Sequence, residues 1–377
     1  MKGTGNKERF LLFNGLIGIG LMITVSMLFN STAQSSDPVL RKAAETMKQS
    51  LTIIKGYCIQ HHINTNNPED ARHTGLIGPE WSEITTTMGD PEAKRTTINP
   101  NFAALITHLL QEAGVRKGDT IAIGSSASFP ALLIASLSAA KALELHPLVI
   151  ISLGSSSFGA SNPDFTLWDI YRLLLENKII DIGPVAASIG GGDDTGTGFE
   201  KGITDRIQLS LAEAGIPLIA EKDLQKNVSI RNSYYFSDEL KEALSSPRKR
   251  GPLPPPGISI KAFINSGGGY ANIGSSPSVL NIRPGLIREA HIPEPEKQGM
   301  IHSMLLRKIP VIHLLFIKGL AQKYDLPWDP VSLPVISAQS VQFNGNRDRG
   351  ILIISLIGIL WFIVVMIRYP MLFKSSN

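Results

Sequence analysis

A single cysteine, Cys58, stands in a chain of 377 residues, so no internal disulfide framework exists. A lone thiol is compatible with an oxidising compartment, which punishes several unpaired ones. Charged residues make up only 18% of the chain and hydrophobic residues 43%, which excludes a disordered polar tail. With 34 Gly and 24 Pro, the sequence is still too rich in turns for a polytopic membrane protein. No Gly-Lys-Ser/Thr phosphate loop, no proper G-x-G-x-x-G and no metal-ligand spacing occur, so no nucleotide, metal or other cofactor is indicated. A broad basic surface is missing as well. The formal charge is +4, and it resides at the ends: Lys2, Lys7 and Arg9 against Glu8 supply half, Arg368 and Lys374 the rest. The neutral middle argues against a nucleic-acid groove.

What the ends do have is apolar length. Residues 10–29 and 350–367 carry no charged side chain. A helix of about 20 apolar residues reaches across ~30 Å of hydrocarbon. The expectation is one transmembrane helix at each end, with short cytoplasmic tails at 1–9 and 368–377. Ser31 and Ala33 offer a small-x-small cleavage site as the alternative reading of the first run. Basic residues outside the runs place the tails in the cytoplasm and the large domain outside it. This implies a cytoplasmic-membrane protein with two spans, in contact with the lipid bilayer. Gly15 with Gly18, and Ser355 with Gly358, repeat a small-residue spacing that favours close helix approach.

Between the runs the pattern alternates. Asp37-Pro38 opens a helix whose Leu40, Ala44, Met47, Leu51, Ile54 and Cys58 form one apolar seam, which makes Cys58 a buried hydrophobe rather than a nucleophile. Residues 30–114 read as a helical and loop-like N-terminal part, with loop signals through 64–100. An α/β domain follows over 115–349. Strands are expected at 119–123, 148–152, 184–188, 217–220, 259–265 and 310–314, with helices near 165–176, 201–214, 297–307 and 315–323. Short apolar strands between amphipathic helices predict a doubly wound, mostly parallel sheet. Residues 247–256, basic and proline-rich, read as a surface connection.

Glycine-rich turns recur at four expected strand ends: Gly124–Ser128, Gly154–Gly159, Gly190–Gly198 and Gly267–Gly274. In an open parallel sheet the ligand crevice lies beyond the carboxyl ends of the strands. The candidate ligand-binding residues are therefore Gly124, Ser125, Ser126, Ser128, Ser155, Ser156, Gly191, Gly192, Asp193, Asp194, Thr195, Gly267, Gly268 and Gly269. For catalysis the candidates are Ser126 as a nucleophile and Asp193 or Asp194 as carboxylates that bind a cation or orient a hydroxyl. Gly124-Ser-Ser-Ala-Ser128 lacks the second glycine of a nucleophile elbow. His291, His302 and His313 are possible bases that no spacing singles out.

The run Glu83-Ile-Thr-Thr-Thr-Met-Gly-Asp-Pro-Glu-Ala-Lys-Arg-Thr-Thr-Ile-Asn-Pro-Asn-Phe-Ala-Ala104, followed by Gly118-Asp-Thr-Ile-Ala-Ile-Gly-Ser-Ser-Ala-Ser-Phe-Pro-Ala131, resembles the poly-gamma-glutamate system protein family. Gly190–Gly198 and Phe263–Gly274 extend the resemblance over nearly the whole chain. It implies a place in bacterial capsule-polymer synthesis beside the ligase-type synthase and its small membrane subunit, with poly-gamma-glutamate or a glutamyl group as ligand. It transfers no catalytic residues. Glu92-Ala-Lys-Arg95 and Arg248-Lys-Arg250 are local contacts for a carboxylate chain. Two functions follow as expectations: an accessory component assisting synthesis or export, or an extracytoplasmic hydrolase or transferase acting on gamma-glutamyl linkages.

Overall fold

The central strand is Thr120-Ile-Ala-Ile-Gly-Ser-Ser126, buried along its whole length. β-branched residues and the absence of any charge suit a strand covered on both faces. Among the described residues it is β2 of nine, the others being β1 (Thr85–Thr87), β3 (His146–Ser152), β4 (Ser155–Ser156), β5 (Ala186–Ser188), β6 (Leu218–Ile219), β7 (Ile260–Ser266), β8 (Gly285–Ile287) and β9 (Val311–His313). Seven form one sheet in the order β6-β5-β3-β2-β7-β9-β8, parallel except for the edge strand β8. β1 and β4 make a separate parallel pair. The computed structural model describes residues 13–20, 22–23, 37–236, 259–332 and 347–373; residues 247–256, the tail at 1–9 and the last four residues of the tail at 368–377 lie outside these.

The helices of the sheet unit are α1 (Pro38–Gln60), α2 (Pro91–Thr97), α3 (Asn101–Glu112), α4 (Pro130–Ala142), α5 (Leu167–Glu176), α6 (Lys201–Glu213), α7 (Leu224–Phe236), α8 (Tyr270–Ile273), α9 (Met300–Leu306) and α10 (Ile317–Lys323). Their starts follow local chemistry. Asp90 caps α2 ahead of Pro91, and Thr166 with Asp169 forms a capping box on α5. α1 buries the seam from Leu40 to Cys58 and packs on α3 and α4. On one sheet face, Ala122, Leu148, Ile150 and Phe263 pack with Val228 and Tyr235 of α7 and with Met300, Ile301 and Met304 of α9. By strand alternation Ile121, Ile123, Val149 and Ile151 point to the opposite layer.

Two details depart from the sequence reading. β2 does not end at Ile123. Pairing continues through Gly124↔Ile150, Ser125↔Ile151 and Ser126↔Ser152, so the first half of the expected turn is strand. Gly124 is tolerated there because the Asn272 side chain fills its missing Cβ position: a Cβ would sit 2.6 Å from Asn272 Oδ1. Within 64–100, read as loop, the chain also forms β1 and α2.

The described residues fall into two compact units, one within Pro38–Val341 and one from the terminal segments. The terminal unit overturns the membrane expectation. Among the described residues, no helix is long and apolar enough to cross a membrane. Helical backbone occurs at 13–20, 22–23 and in α11 (Arg347–Phe373), whose described side chains cover only 352–365. A span needs about 20 consecutive apolar residues. The two flanking transmembrane helices and the two-span placement in a bacterial cytoplasmic membrane, with an extracytoplasmic domain, are thereby corrected. Within this unit Trp361 Nε1 donates to Asn14 O at 3.1 Å, and a Cβ on Gly18 would meet the Trp361 ring at 2.9 Å. Gly358 faces Met22, whereas a Cβ on Gly15 would meet nothing within 4 Å.

Candidate functional site

Strand order reverses at β2. From β2 the chain steps through β3, β5 and β6 on one side, then returns to place β7 and β9 on the other. A crevice opens beyond the carboxyl ends at such a switch point. A cavity of about 420 Å³ lies there, within the range of small-molecule sites.

Ser126 and Ser152 line it, in a row of serines that continues to Ser188. Ser126, Ser152 and Ser188 end β2, β3 and β5 in mutual register. Ser152 and Ser188 hydroxyls lie 2.8 Å apart, and both donate to Asp194 Oδ1, at 3.3 and 2.7 Å. Ser126 is different. It is 3% exposed, lines the cavity, and its Oγ has no partner among the described residues. An unmatched buried hydroxyl costs free energy that a ligand can recover.

The cation comes from α2. Lys94 is 2% exposed and lines the cavity. Its Nζ donates to Ser128 O and, at 2.7 Å, contacts Ser156 Oγ, and it sits 3.7 Å from the centre of the Phe129 ring. Burial lowers its pKa to about 7, against the smaller raising field of Asp90. No carboxylate lies within ion-pair distance of Lys94 among the described residues. Phe129 also precedes α4, whose first residue, Pro130, has no N–H to offer, and Leu132 N already donates to Phe129 O at 3.0 Å.

Asp194 lines the far wall, but its charge is taken. Arg231 Nη2 from α7 lies 2.5 Å from Asp194 Oδ2, with Asp194 3% and Arg231 1% exposed. Burial raises the Asp194 carboxyl pKa against the opposing pull of Arg231 and the serine hydroxyls. The loop that carries it passes through left-handed backbone at Gly190, Gly191, Asp193, Asp194 and Gly196. A Cβ on Gly190 would stand 2.8 Å from Gly154 N, so the two glycine turns touch backbone to backbone.

Of the residues expected from sequence, Ser126, Ser128, Ser156, Gly191, Gly192, Asp194, Gly268 and Gly269 line the cavity. Gly124, Ser125, Ser155, Asp193, Thr195 and Gly267 do not. Ser155 spends its hydroxyl on Ala127 O and Ser156 O. Asp193 is an exposed turn residue. Gly267 packs against Ser126 from behind. None of His291, His302 and His313 reaches the cavity: His302 Nδ1 accepts from Gly299 N, and His313 Nδ1 pairs with Asn265 Nδ2. Among the described residues no group of three His, Cys, Asp or Glu side chains is placed to hold a metal ion.

The comparisons add no relative. No protein-family model, curated protein or solved structure matches this chain.

Sequence reasoning missed Thr86, Asp90, Arg231 and Tyr270, and gave Lys94 only as one of a surface pair of cations. One signal was present. The run 83–104, which carries the family resemblance, contains Thr86, Asp90 and Lys94, and β1 within it pairs with β4 to close the mouth of the cavity. A second cavity, of about 320 Å³, shares the walls Asp90 and Phe129 and is bounded by Phe316, Lys318 and Trp328.

Proposed function

We propose that the chain binds a small carboxylate-bearing ligand, a glutamyl group in particular, in the switch-point cavity, and acts as an accessory component of poly-gamma-glutamate synthesis. The observation that carries the ligand class is the Lys94 ammonium: among the described residues it is the cavity's one lining cation, and both lining carboxylates are engaged, Asp194 with Arg231 and Asp90 as the cap of α2. The Ser126 hydroxyl, unmatched among the described residues, adds a neutral donor for the same anion. The pathway rests on the sequence resemblance alone, and with it come the proposed partners, the synthase ligase and its membrane subunit.

A bound carboxylate beside Lys94 restores the charged amine that burial disfavours, so binding takes up a proton near neutral pH. Titration calorimetry with glutamate and short gamma-glutamyl oligomers tests the ligand. Binding is expected to weaken as pH rises above about 7, and Lys94→Met is expected to lose about 1.5–3 kcal/mol, at least tenfold in Kd. Equal affinity in the wild type and Lys94→Met would overturn the ligand class. For the pathway, a strain lacking this chain should make less polymer, with yield restored by the wild type and not by Lys94→Met.

A further inference from the structure

The contact between Lys94 Nζ and Ser156 Oγ supplies more than a binding surface. Ser156 lies in β4, directly after the Gly154 turn, with its backbone N–H donating to Ser128 Oγ at 3.0 Å. Its hydroxyl faces an amine 2.7 Å away, and both groups line the same cavity. The amine itself is held in place from two other sides, by Ser128 O and by the face of the Phe129 ring. A hydroxyl within hydrogen-bond reach of a fixed, desolvated amine is the arrangement of a serine nucleophile with a lysine base.

We propose that Ser156 is the nucleophile and Lys94 the general base of an acyl-transfer site for a carboxylic amide or ester. Ser156 Oγ bonds to the acyl carbon as its proton passes to the neutral Lys94 amine. The tetrahedral intermediate then breaks its bond to the leaving nitrogen or oxygen, which receives that proton from Lys94. Water next attacks the acyl-serine, Lys94 takes its proton, and the freed acid departs as the proton returns to Ser156. Ser126, with its unpartnered hydroxyl in the same cavity, is a donor available to the developing oxyanion.

The environment of Lys94 favours the neutral base. Burial brings its pKa to about 7, while the field of Asp90 at the cap of its own helix works the other way. Across the cavity Asp194 is paired with Arg231, and the flanking Ser128, Phe129 and Ser156 carry no charge. The inference rests on the cavity being the ligand site. It needs Lys94 uncharged where anion binding needs it charged, so pH separates the two readings.

The test uses the full chain and a fluorophosphonate probe, read by intact mass and peptide mapping. One adduct on Ser156 is expected, with loss of fluoride. Its rate should rise with pH through about 7, vanish in Ser156→Ala, and fall at least tenfold in Lys94→Arg, which keeps the charge and cannot act as base. Ser156→Thr, with circular dichroism on every variant, controls for folding. A folded wild type with no adduct, an adduct on another serine, or an unchanged rate in Lys94→Arg would each overturn the proposal. Glutamate binding without labelling would sink this inference alone; labelling without glutamate binding would sink the proposed ligand instead.

Discussion

Asp194 and Arg231 form an ion pair sealed from solvent, 2.5 Å between Oδ2 and Nη2, joining the glycine loop after β5 to α7. In the sequence Asp194 stands in a glycine-rich turn, a setting in which side chains are ordinarily exposed and cost little stability when removed. Its burial reverses that expectation. Asp194→Ala leaves the Arg231 guanidinium buried and unpaired, a change worth about 3–5 kcal/mol. Replacing both, Asp194→Leu with Arg231→Met, should recover most of the loss. Denaturant midpoints for the three proteins decide it, and equal losses in the single and double variants would refute the pairing.

Ser126→Ala should behave oppositely. The Ser126 Oγ has no partner among the described residues, so its removal costs under about 0.5 kcal/mol or stabilises slightly. Ligand binding should fall nonetheless. A large drop in melting temperature would place Ser126 among the structural residues.

Gly267 tests the approach of β7 to β2. Its φ is +100°, and a Cβ there would stand 2.2 Å from Ser126 Oγ. Gly267→Ala should cost about 1–3 kcal/mol through backbone strain and the clash. Adding Ser126→Ala removes the clash and leaves the strain, so the double variant should be the more stable of the two. Thermal unfolding of both reads this directly.

Lys94 also sets a stability slope. Its folded pKa, about 7, lies below the ordinary 10.5, so the unfolded chain holds the proton more tightly. The penalty of burying the charge is full below pH 7 and is relieved as pH rises above it. From about pH 9 the Cys58 thiol, raised to about 12 by burial, works the other way, because the unfolded thiol ionises first. Stability should therefore climb between about pH 7 and 9, and Lys94→Met should flatten that climb. A flat wild-type profile would contradict the buried amine.

Cys58 itself should resist thiol reagents in the native protein. Its side chain is buried in the α1 seam and reaction requires the thiolate. Fast native-state labelling at pH 8 would place α1 elsewhere.

Much of the fold was written in short-range pattern. The Leu40-to-Cys58 seam, the Thr166-x-x-Asp169 box and the apolar cores of β2, β3 and β7 follow from spacing and local propensity, which act within a few residues. The same logic placed Ser126, Ser156 and Asp194 at strand ends, because glycine and serine punctuate parallel strands where a ligand crevice forms. Apolar composition alone misled at the ends: uncharged runs at 10–29 and 350–367 read as spans, while the described helices there are not long and apolar enough to cross a membrane.

Which strand-end groups face each other was decided only in three dimensions. Lys94 and Ser156 are 62 residues apart, and nothing local to Lys94 distinguishes it from the solvated Arg and Lys side chains around it. Its burial follows from β1 pairing with β4, a contact between segments distant in sequence. Arg231 finds Asp194 only because α7 packs across the end of β5. Sequence by itself determined the principal helices and strands of the sheet, though not β1 and α2 within 64–100, and the chemistry available at the strand ends, since those depend on neighbours in the chain. The tertiary structure alone decided which charges are neutralised and which stay free, because desolvation and pairing depend on neighbours in space.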